Sequence, residues 1–173
     1  MVTSVAGCRF CEIAHHRKEV QLRSKERCVV IEDINPKARY HFLVLSKTHI
    51  PRPTDLTAAD IPLIEEMEST GRELLRATLK ANGEADTVED MLRIGFHYPP
   101  MISINHLHMH LIYPLSTMGL ISRTLTFRPG KVFKSTGQVV EALRKAAGLP
   151  HPLEGNPAKN DNADELPAHA VAN

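Results

Sequence analysis

Residues 105–113 read Asn105-His106-Leu107-His108-Met109-His110-Leu111-Ile112-Tyr113, and their alternation is the strongest indication of fold in the sequence. Side chains of a β-strand point alternately to opposite faces, so histidines at every second position predict a strand with one imidazole face and one apolar face. The imidazoles of His106, His108 and His110 would lie in one row, and the residues between them would face a core. Three of the ten histidines of the chain fall within this row, which therefore predicts a chemical site.

Composition limits the class of protein around this segment. A chain of 173 residues with 42% hydrophobic and 24% charged residues is ordinary for one globular domain. A net charge of +1 offers no bulk electrostatic surface, so a nucleic-acid partner is not expected. We expect no membrane span, because no apolar run reaches roughly 18 residues. The absence of a signal-peptide pattern and the odd number of cysteines predict a reducing location, cytoplasmic or also nuclear.

Hydrophobic periodicity predicts an α+β domain. Strands are predicted, besides the histidine strand, at Cys28–Glu32, Tyr40–Ser46, Met91–Phe96 and, as an edge strand, Thr124–Phe127. Apolar residues at spacings of three and four from Ile61 to Leu79 predict one amphipathic helix of about twenty residues. Ser135 and Gln138 resemble a capping box for a C-terminal helix that stops at Gly148. We therefore expect an antiparallel sheet of about five strands, one long helix packed on it, and a C-terminal helix.

A domain boundary is predicted near residue 148. The chain after it is polar and rich in proline, asparagine and alanine, and it cannot bury enough apolar surface to offset the entropy of ordering. We expect a folded domain over residues 1–148 and a disordered tail over residues 149–173.

Three explanations compete for the histidine row. One ion shared by all three is improbable, because strand rise places His106 and His110 about 13 Å apart, although one or two of them can still be ligands. A catalytic row is better suited to phosphorus, because a central imidazole can attack while neighbours hold the surrounding oxygens. Purely structural histidines are the least favoured explanation, because the row is accompanied by Ser103, His41, His49 and His97.

The flanking segments carry a family resemblance. The chain contains Cys8-Arg9-Phe10-Cys11-Glu12-Ile13, Val30-Ile31-Glu32-Asp33-Ile34-Asn35-Pro36, His41-Phe42-Leu43-Val44-Leu45-Ser46-Lys47-Thr48-His49-Ile50 and the His-x-His-x-His row. In order and spacing these segments resemble the histidine triad family of nucleotide hydrolases and transferases, over roughly residues 8 to 115. Within that family the chain looks most like the Hint branch of adenosine 5′-monophosphoramidases. Residues 91–100 resemble its third group in particular.

The resemblance implies a fold and a mechanism. It implies the histidine triad fold and a hydrolase that needs no cofactor for its chemistry. His108 would attack the α-phosphorus of an adenosine phosphoramidate or aminoacyl-adenylate, and water would release AMP from the nucleotidyl-histidine. His110, His106 and His49 would orient phosphate oxygens or assist proton transfer, and Ser103 would lie near the leaving group.

The same resemblance implies a purine nucleotide site and a homodimer. Asp33 matches the ribose-binding acid, and the apolar positions that sandwich the purine match Ile34, Ile31, Phe10 and Ile13. His97 stands where many Hint proteins have an asparagine beside the phosphate, so leaving-group preference and pH profile do not carry over. Subunits of the family extend their sheets across a two-fold interface.

Other functions stay open at the level of sequence. The histidine row also occurs in diadenosine polyphosphate hydrolases, and a nucleotide-binding adaptor with slow residual hydrolysis would keep the same residues. Aprataxin-like DNA deadenylation is less favoured, because no cysteine follows Leu149 to build the zinc finger that usually accompanies it.

The pair Cys8-x-x-Cys11 is half of a zinc site by its spacing. Two histidines would have to complete the site, and the resemblance implies His49 and His106, because some members of the family hold such a Cys2His2 zinc. A structural zinc and two reduced thiols are equally open at this point. A zinc would divide the histidine row between two roles, leaving His108 and His110 for the substrate.

Overall fold

The computed structural model describes residues 3–84 and 91–150. Within them the strands are β1 Arg23–Ser24, β2 Cys28–Glu32, β3 Tyr40–Ser46, β4 Arg93–His97, β5 His108–Tyr113 and β6 Phe133–Ser135. The α-helices are α1 Arg9–His15, α2 Ile61–Ala81 and α3 Thr136–Ala146. The strands form one antiparallel sheet in the order β1-β2-β3-β5-β4-β6. The predicted α+β class is therefore confirmed.

Helix α2 covers one face of the sheet. Its 21 residues agree with the predicted amphipathic helix, and Leu107, Met109 and Leu111 are buried in the same core cluster as its apolar side. Gly71 allows the close approach of helix to sheet, since a Cβ there would lie 2.8 Å from Leu111 Cδ1. Because this face of β5 is apolar, the alternate histidines face the other side.

Helix α1 packs on the opposite face. Its residues Phe10 and Ala14 are buried against apolar side chains of β2 and β3, namely Val29, Ile31, Leu43 and Leu45. This short helix therefore stands beside the histidine face of β5 and forms one wall of the cavity described below.

The histidine strand and the sheet edge differ from the sequence-based predictions. Strand β5 begins at His108, so His106 precedes it and leaves the row. The predicted edge strand at Thr124–Phe127 is wrong, because Ser122–Thr126 forms a turn of π-helix in which Phe127 N donates to Ser122 O at 2.9 Å. The edge of β4 is paired instead with β6, a strand that the sequence analysis did not predict. A strand at Thr124–Phe127 would therefore have no free edge of β4 to pair with.

Strand β6 leads directly into α3. The predicted capping box is present, with Gln138 N donating to Ser135 Oγ at 3.3 Å and Ser135 N donating to Gln138 Oε1 at 3.0 Å. Strands β4 and β6 lie so close at Gly95 (φ +157°) that a Cβ would be 2.2 Å from Lys134 O. The predicted tail lies outside the described residues beyond position 150. No helix within the described ranges has the length and apolarity that crossing a bilayer requires.

Candidate active site

A cavity of about 330 Å³ opens on the α1 side of the sheet. It brings together most of the site residues expected from the sequence: Phe10, Ile13, Ile31, Asp33, Ile34, His97, Ser103, His108 and His110. Helix α1, the end of β2, the end of β4 and the start of β5 each contribute side chains. The residues therefore meet from distant parts of the chain, although the sequence-predicted His49 and His106 do not line this cavity.

His108 has a defined tautomer. Its Nδ1 lies 2.7 Å from the carbonyl oxygen of His106, and a carbonyl can only accept, so Nδ1 carries the proton. The other ring nitrogen, Nε2, is then left with a free lone pair. Burial lowers the pKa of His108, which keeps the imidazole neutral. Phe10 stands edge-on to this ring with centroids 5.2 Å apart. The arrangement is that of a neutral nitrogen nucleophile.

His110 has the opposite tautomer, fixed by His41 of β3. The backbone N–H of Lys37 donates to His41 Nδ1 at 3.2 Å, so the proton of His41 is on Nε2. The Nε2 atom of His41 lies 3.0 Å from His110 Nδ1 and 3.4 Å from Asp33 Oδ2. His110 Nδ1 therefore accepts, and its own proton is on Nε2. This buried Nε2 has no hydrogen-bond partner within the described part of the chain and is a donor available to the cavity that the ring lines.

Both histidines of this chain of hydrogen bonds are neutral. Burial lowers the pKa of His41 to about 4, although the carboxylate of Asp33 acts in the opposite direction. Burial lowers the pKa of His110 well below its ordinary value, with a further contribution from the neighbouring histidines. The site thus presents one nitrogen lone pair and one N–H donor on alternate positions of β5, which share one face of the sheet, without a charged imidazole.

His97 closes the same cluster from β4. Its ring contacts those of His110 and Phe127, with centroids 4.7 Å and 4.6 Å apart, and burial lowers its pKa. A hydrogen bond between His97 and the backbone of Val132 acts on this pKa in the opposite direction. The Nδ1 of His97 is buried and, among the described residues, has no hydrogen-bond partner.

The other end of the cavity is apolar. Phe10 and Ile13 of α1 face Ile31 and the loop after β2, which adds Ile34. Ile34 is 82% exposed, so core packing does not explain it, and an apolar side chain at a cavity rim suits a flat ligand. Asp33 is positioned in the same loop by Asn35 N, which donates to its Oδ1 at 2.8 Å.

His106 and His49 belong to a second cluster. The Nδ1 of His106 lies 3.4 Å from Cys8 Sγ and 3.5 Å from Cys11 Sγ, and the Nδ1 of His49 lies 3.3 Å from Cys11 Sγ. The Nε2 of His106 donates to the backbone carbonyl of Ser46 at 2.8 Å. Both ring nitrogens of His106 are therefore engaged. The expectation that these two imidazoles orient phosphate oxygens does not agree with this placement.

The four side chains of the second cluster lie close enough together to hold one metal ion. Their four ligand atoms all lie within 4.8 Å of one another. Zinc bonds of about 2.3 Å to sulfur and about 2.0 Å to nitrogen imply sulfur–nitrogen separations near 3.5 Å, and the observed distances match. The hydrogen bond from His106 Nε2 to a backbone carbonyl is the outer contact that usually orients a metal-binding histidine.

The sequence-based assignment missed two contributors, His41 and Phe127. His41 was noted as an additional histidine, but only the pairing of β3 with β5 brings it to His110. Phe127 packs on three imidazoles, with centroids 4.6 Å from His97, 5.2 Å from His110 and 5.8 Å from His41. No local pattern marks a phenylalanine at the end of a π-turn as part of a site.

This sheet, with histidines of β5 facing a cavity beside the short helix α1, defines the histidine triad class of fold. A histidine triad protein from Clostridium difficile superposes with a TM-score of 0.52 at 23% identity, covering 63% of this chain and 91% of that one. That likeness concerns the fold alone.

Sequence comparison establishes the family. The family model described as "Scavenger mRNA decapping enzyme C-term binding" matches residues 7–125. The adenosine 5'-monophosphoramidase HINT3 of Xenopus tropicalis is 38% identical over 140 residues, which are 80% of this chain and 88% of that protein. The bifunctional adenosine 5'-phosphosulfate phosphorylase/adenylylsulfatase HINT4 of Arabidopsis thaliana is 37% identical over 107 residues, 60% of this chain and 68% of that protein. The chain belongs to the histidine triad family.

Proposed function

We propose that this chain is an adenosine 5′-monophosphoramidase-like hydrolase, which releases AMP from adenosine phosphoramidates or aminoacyl-adenylates. The observation that carries the proposal is the pair of fixed tautomers: His108 offers a lone pair on Nε2 because its Nδ1–H is held by the His106 carbonyl, and His110 offers an N–H donor. The relationship to HINT3 of Xenopus tropicalis supports the choice of substrate class.

In the first step, His108 Nε2 forms a bond to the α-phosphorus while the phosphorus–nitrogen bond of the substrate breaks. The leaving amine takes up a proton from water, relayed through the Ser103 hydroxyl on the cavity lining. His108 keeps its Nδ1–H, and the His106 carbonyl stabilises the positive charge that the ring gains. The Nε2–H of His110 donates to a phosphate oxygen.

In the second step, water adds to the phosphorus and the bond to His108 breaks. The phosphorus gains a hydroxyl group, the remaining proton of the water leaves to solvent, and His108 Nε2 regains its lone pair. AMP is the product. Asp33 would accept hydrogen bonds from the ribose hydroxyls, while Phe10, Ile13, Ile31 and Ile34 would sandwich the purine.

The test is the variant His108→Asn, assayed with a fluorogenic adenosine phosphoramidate. Removal of a covalent nucleophile should lower kcat by at least about 10², while binding of AMP measured by calorimetry persists. Turnover above a hundredth of the wild-type rate would refute the assignment of the nucleophile. AMP binding by a wild-type protein without turnover of any substrate would favour a nucleotide-binding adaptor.

A second leaving group is supported by the relative from Arabidopsis thaliana, whose name describes activity on adenosine 5′-phosphosulfate. The same attack at the α-phosphorus would then expel sulfate, which needs no proton. Comparing kcat/KM for the phosphoramidate, adenosine 5′-phosphosulfate and diadenosine polyphosphates discriminates these substrate classes. We expect the phosphoramidate to give the highest value, and a tenfold preference for another substrate would reassign the leaving group.

We also propose that Cys8, Cys11, His49 and His106 hold a structural zinc. The matching sulfur–nitrogen distances and the outer hydrogen bond of His106 support the proposal. The metal would cross-link α1 to the segments before β5 and after β3, and the substrate chemistry would not pass through it. Zinc quantitation after purification in metal-free buffer is the test, and less than a tenth of an ion per chain would overturn it. None of Cys8, Cys11 and Cys28 forms a disulfide, and this supports the cytoplasmic or nuclear location that we also propose.

A homodimer is the last element of the proposal. Within residues 3–84 and 91–150 the sheet ends at β1 and β6, because β6 covers the outer edge of β4. A sheet extended across a two-fold axis would therefore have to pair through one of these short edges. Light scattering coupled to size exclusion, at several concentrations, tests it. A single-chain mass at all of them would exclude the dimer.

A further inference from the structure

His106 takes part in both clusters at once. Its imidazole lies among Cys8, Cys11 and His49, while its backbone carbonyl accepts the Nδ1–H of His108 at 2.7 Å. The side chain is held from the other end by the Ser46 carbonyl. A backbone shift at His106 that accompanies ligation by its ring would therefore move the acceptor that fixes the tautomer and direction of the nucleophile.

Helix α1 makes a second connection between the clusters. Cys8 and Cys11 flank Phe10 in sequence, and the ring of Phe10 stands edge-on to both His106 and His108, with centroids 5.8 Å and 5.2 Å apart. Phe10 also lines the cavity. The cavity wall and the two thiols thus belong to the first turn of α1 and its N-cap residue, Cys8.

Helix α1 depends on such external support. It has seven residues and no side-chain hydrogen bond at its N-cap, and isolated helices of this length are not stable in water. On its buried side, α1 packs on β2 and β3. A metal bound to Cys8 and Cys11 would anchor its first turn to His49 and His106, and so restrict the positions open to Phe10.

We propose that the Cys8–Cys11–His49–His106 cluster positions the nucleotide site, so that zinc bound in the cluster and nucleotide bound in the cavity strengthen each other's binding. Cys8 and Cys11 are then positioning residues for the reaction, acting through Phe10 and through the His106 carbonyl. The inference rests on the proposed structural zinc and on the proposed nucleotide site.

The test uses the reciprocity of coupled binding. If zinc strengthens AMP binding by some factor, AMP must strengthen zinc binding by the same factor. AMP affinity is measured by calorimetry on the metal-free and the zinc-loaded protein, and zinc affinity by competition with a chromophoric chelator, with and without saturating AMP. We expect equal factors of about five or more in both measurements. Factors below two, or failure to bind zinc, would overturn the proposal.

Variants separate positioning from general stabilisation. Cys8→Ser removes a half-buried ligand, and its AMP affinity should equal that of the metal-free wild type and no longer respond to zinc. Cys28→Ser is the matched control, because Cys28 lies on the other face of the sheet beside Thr70 and should keep the full response. A zinc that only stabilises the fold would raise Tm without changing AMP affinity, and that result would contradict the inference.

Steady-state kinetics add an independent readout. Loss of the metal should raise KM through the displaced Phe10 wall and lower kcat through the less restrained His108. Failure of the proposed function gives a different result. If AMP and zinc strengthen each other's binding but no substrate is turned over, the hydrolase is refuted and the coupling stands. If substrate is turned over but the two affinities are independent, the coupling is refuted and the hydrolase stands.

Discussion

The hydrogen bond from His41 to His110 allows the sharpest test of the site. In the variant His41→Phe, a ring of similar size remains but the Nε2–H donor is lost. His110 Nδ1, now without a donor, can take the proton itself, and its Nε2 would then present a lone pair to a phosphate oxygen. Because both rings are buried, water cannot readily replace the lost donor.

The expected magnitude follows from one unpaired buried group. Leaving a buried hydrogen-bonding partner unsatisfied costs about 1–3 kcal/mol, and at about 1.4 kcal/mol per factor of ten this corresponds to a fall in kcat/KM of about 5- to 150-fold. The variant His41→Gln keeps an N–H donor, and its loss should stay within about fivefold if the amide reaches His110 Nδ1.

The assay combines steady-state kinetics with NMR detection of which ring nitrogen of His110 carries the proton. kcat/KM is measured for wild type and both variants with the fluorogenic adenosine phosphoramidate, and thermal melting confirms that each variant is folded. Nitrogen-15 NMR of the histidine rings reports the tautomer of His110. Equal activities of the Phe and Gln variants, or an Nδ1–H on His110 in the wild type, would show that the assigned chain of hydrogen bonds is wrong.

Three further predictions concern packing, pH and the ribose. Gly95→Ala should lower the free energy of unfolding, measured in urea, by about 2 kcal/mol or more, because the new Cβ would meet Lys134 O. Gly137→Ala is the control: it has open space around it and should change the free energy of unfolding by less than about 1 kcal/mol. Equal effects of the two substitutions would contradict the close approach of β4 and β6 at Gly95. The pKa of His41 is about 4 in the folded protein, against an ordinary value of 6.5. Below pH 6.5 the unfolded state therefore binds a proton that the folded state does not, so the free energy of unfolding is highest above pH 6.5 and falls towards pH 4. Between pH 7 and pH 5, the free energy of unfolding in urea should fall by about 2 kcal/mol more in the wild type than in His41→Phe. An equal fall in both proteins would exclude a neutral buried His41. Asp33→Asn should raise KM for the phosphoramidate about 10-fold or more with a smaller change in kcat, and an unchanged KM would remove Asp33 from the ribose site.

Local sequence patterns predict which face of β5 is apolar and where α2 and the cap of α3 lie. Alternation along residues 107–111 is a local property of an extended chain, so it correctly predicted an apolar side that packs on α2 and a histidine side that faces away. The three- and four-residue spacing of α2 and the capping pair Ser135 and Gln138 are equally local. The family resemblance likewise rests on short motifs that can be read along the chain.

The division of the histidines between two clusters depends on tertiary contacts. Strand pairing begins at His108, so His106 turns its ring towards Cys8 and Cys11 and contributes only its carbonyl to the nucleophile. The register of β3 against β5 brings His41 to His110. The edge of β4 is filled by β6 and not by the predicted strand at Thr124–Phe127. Each of these outcomes depends on contacts between residues far apart in the chain, whose free energies no local periodicity encodes.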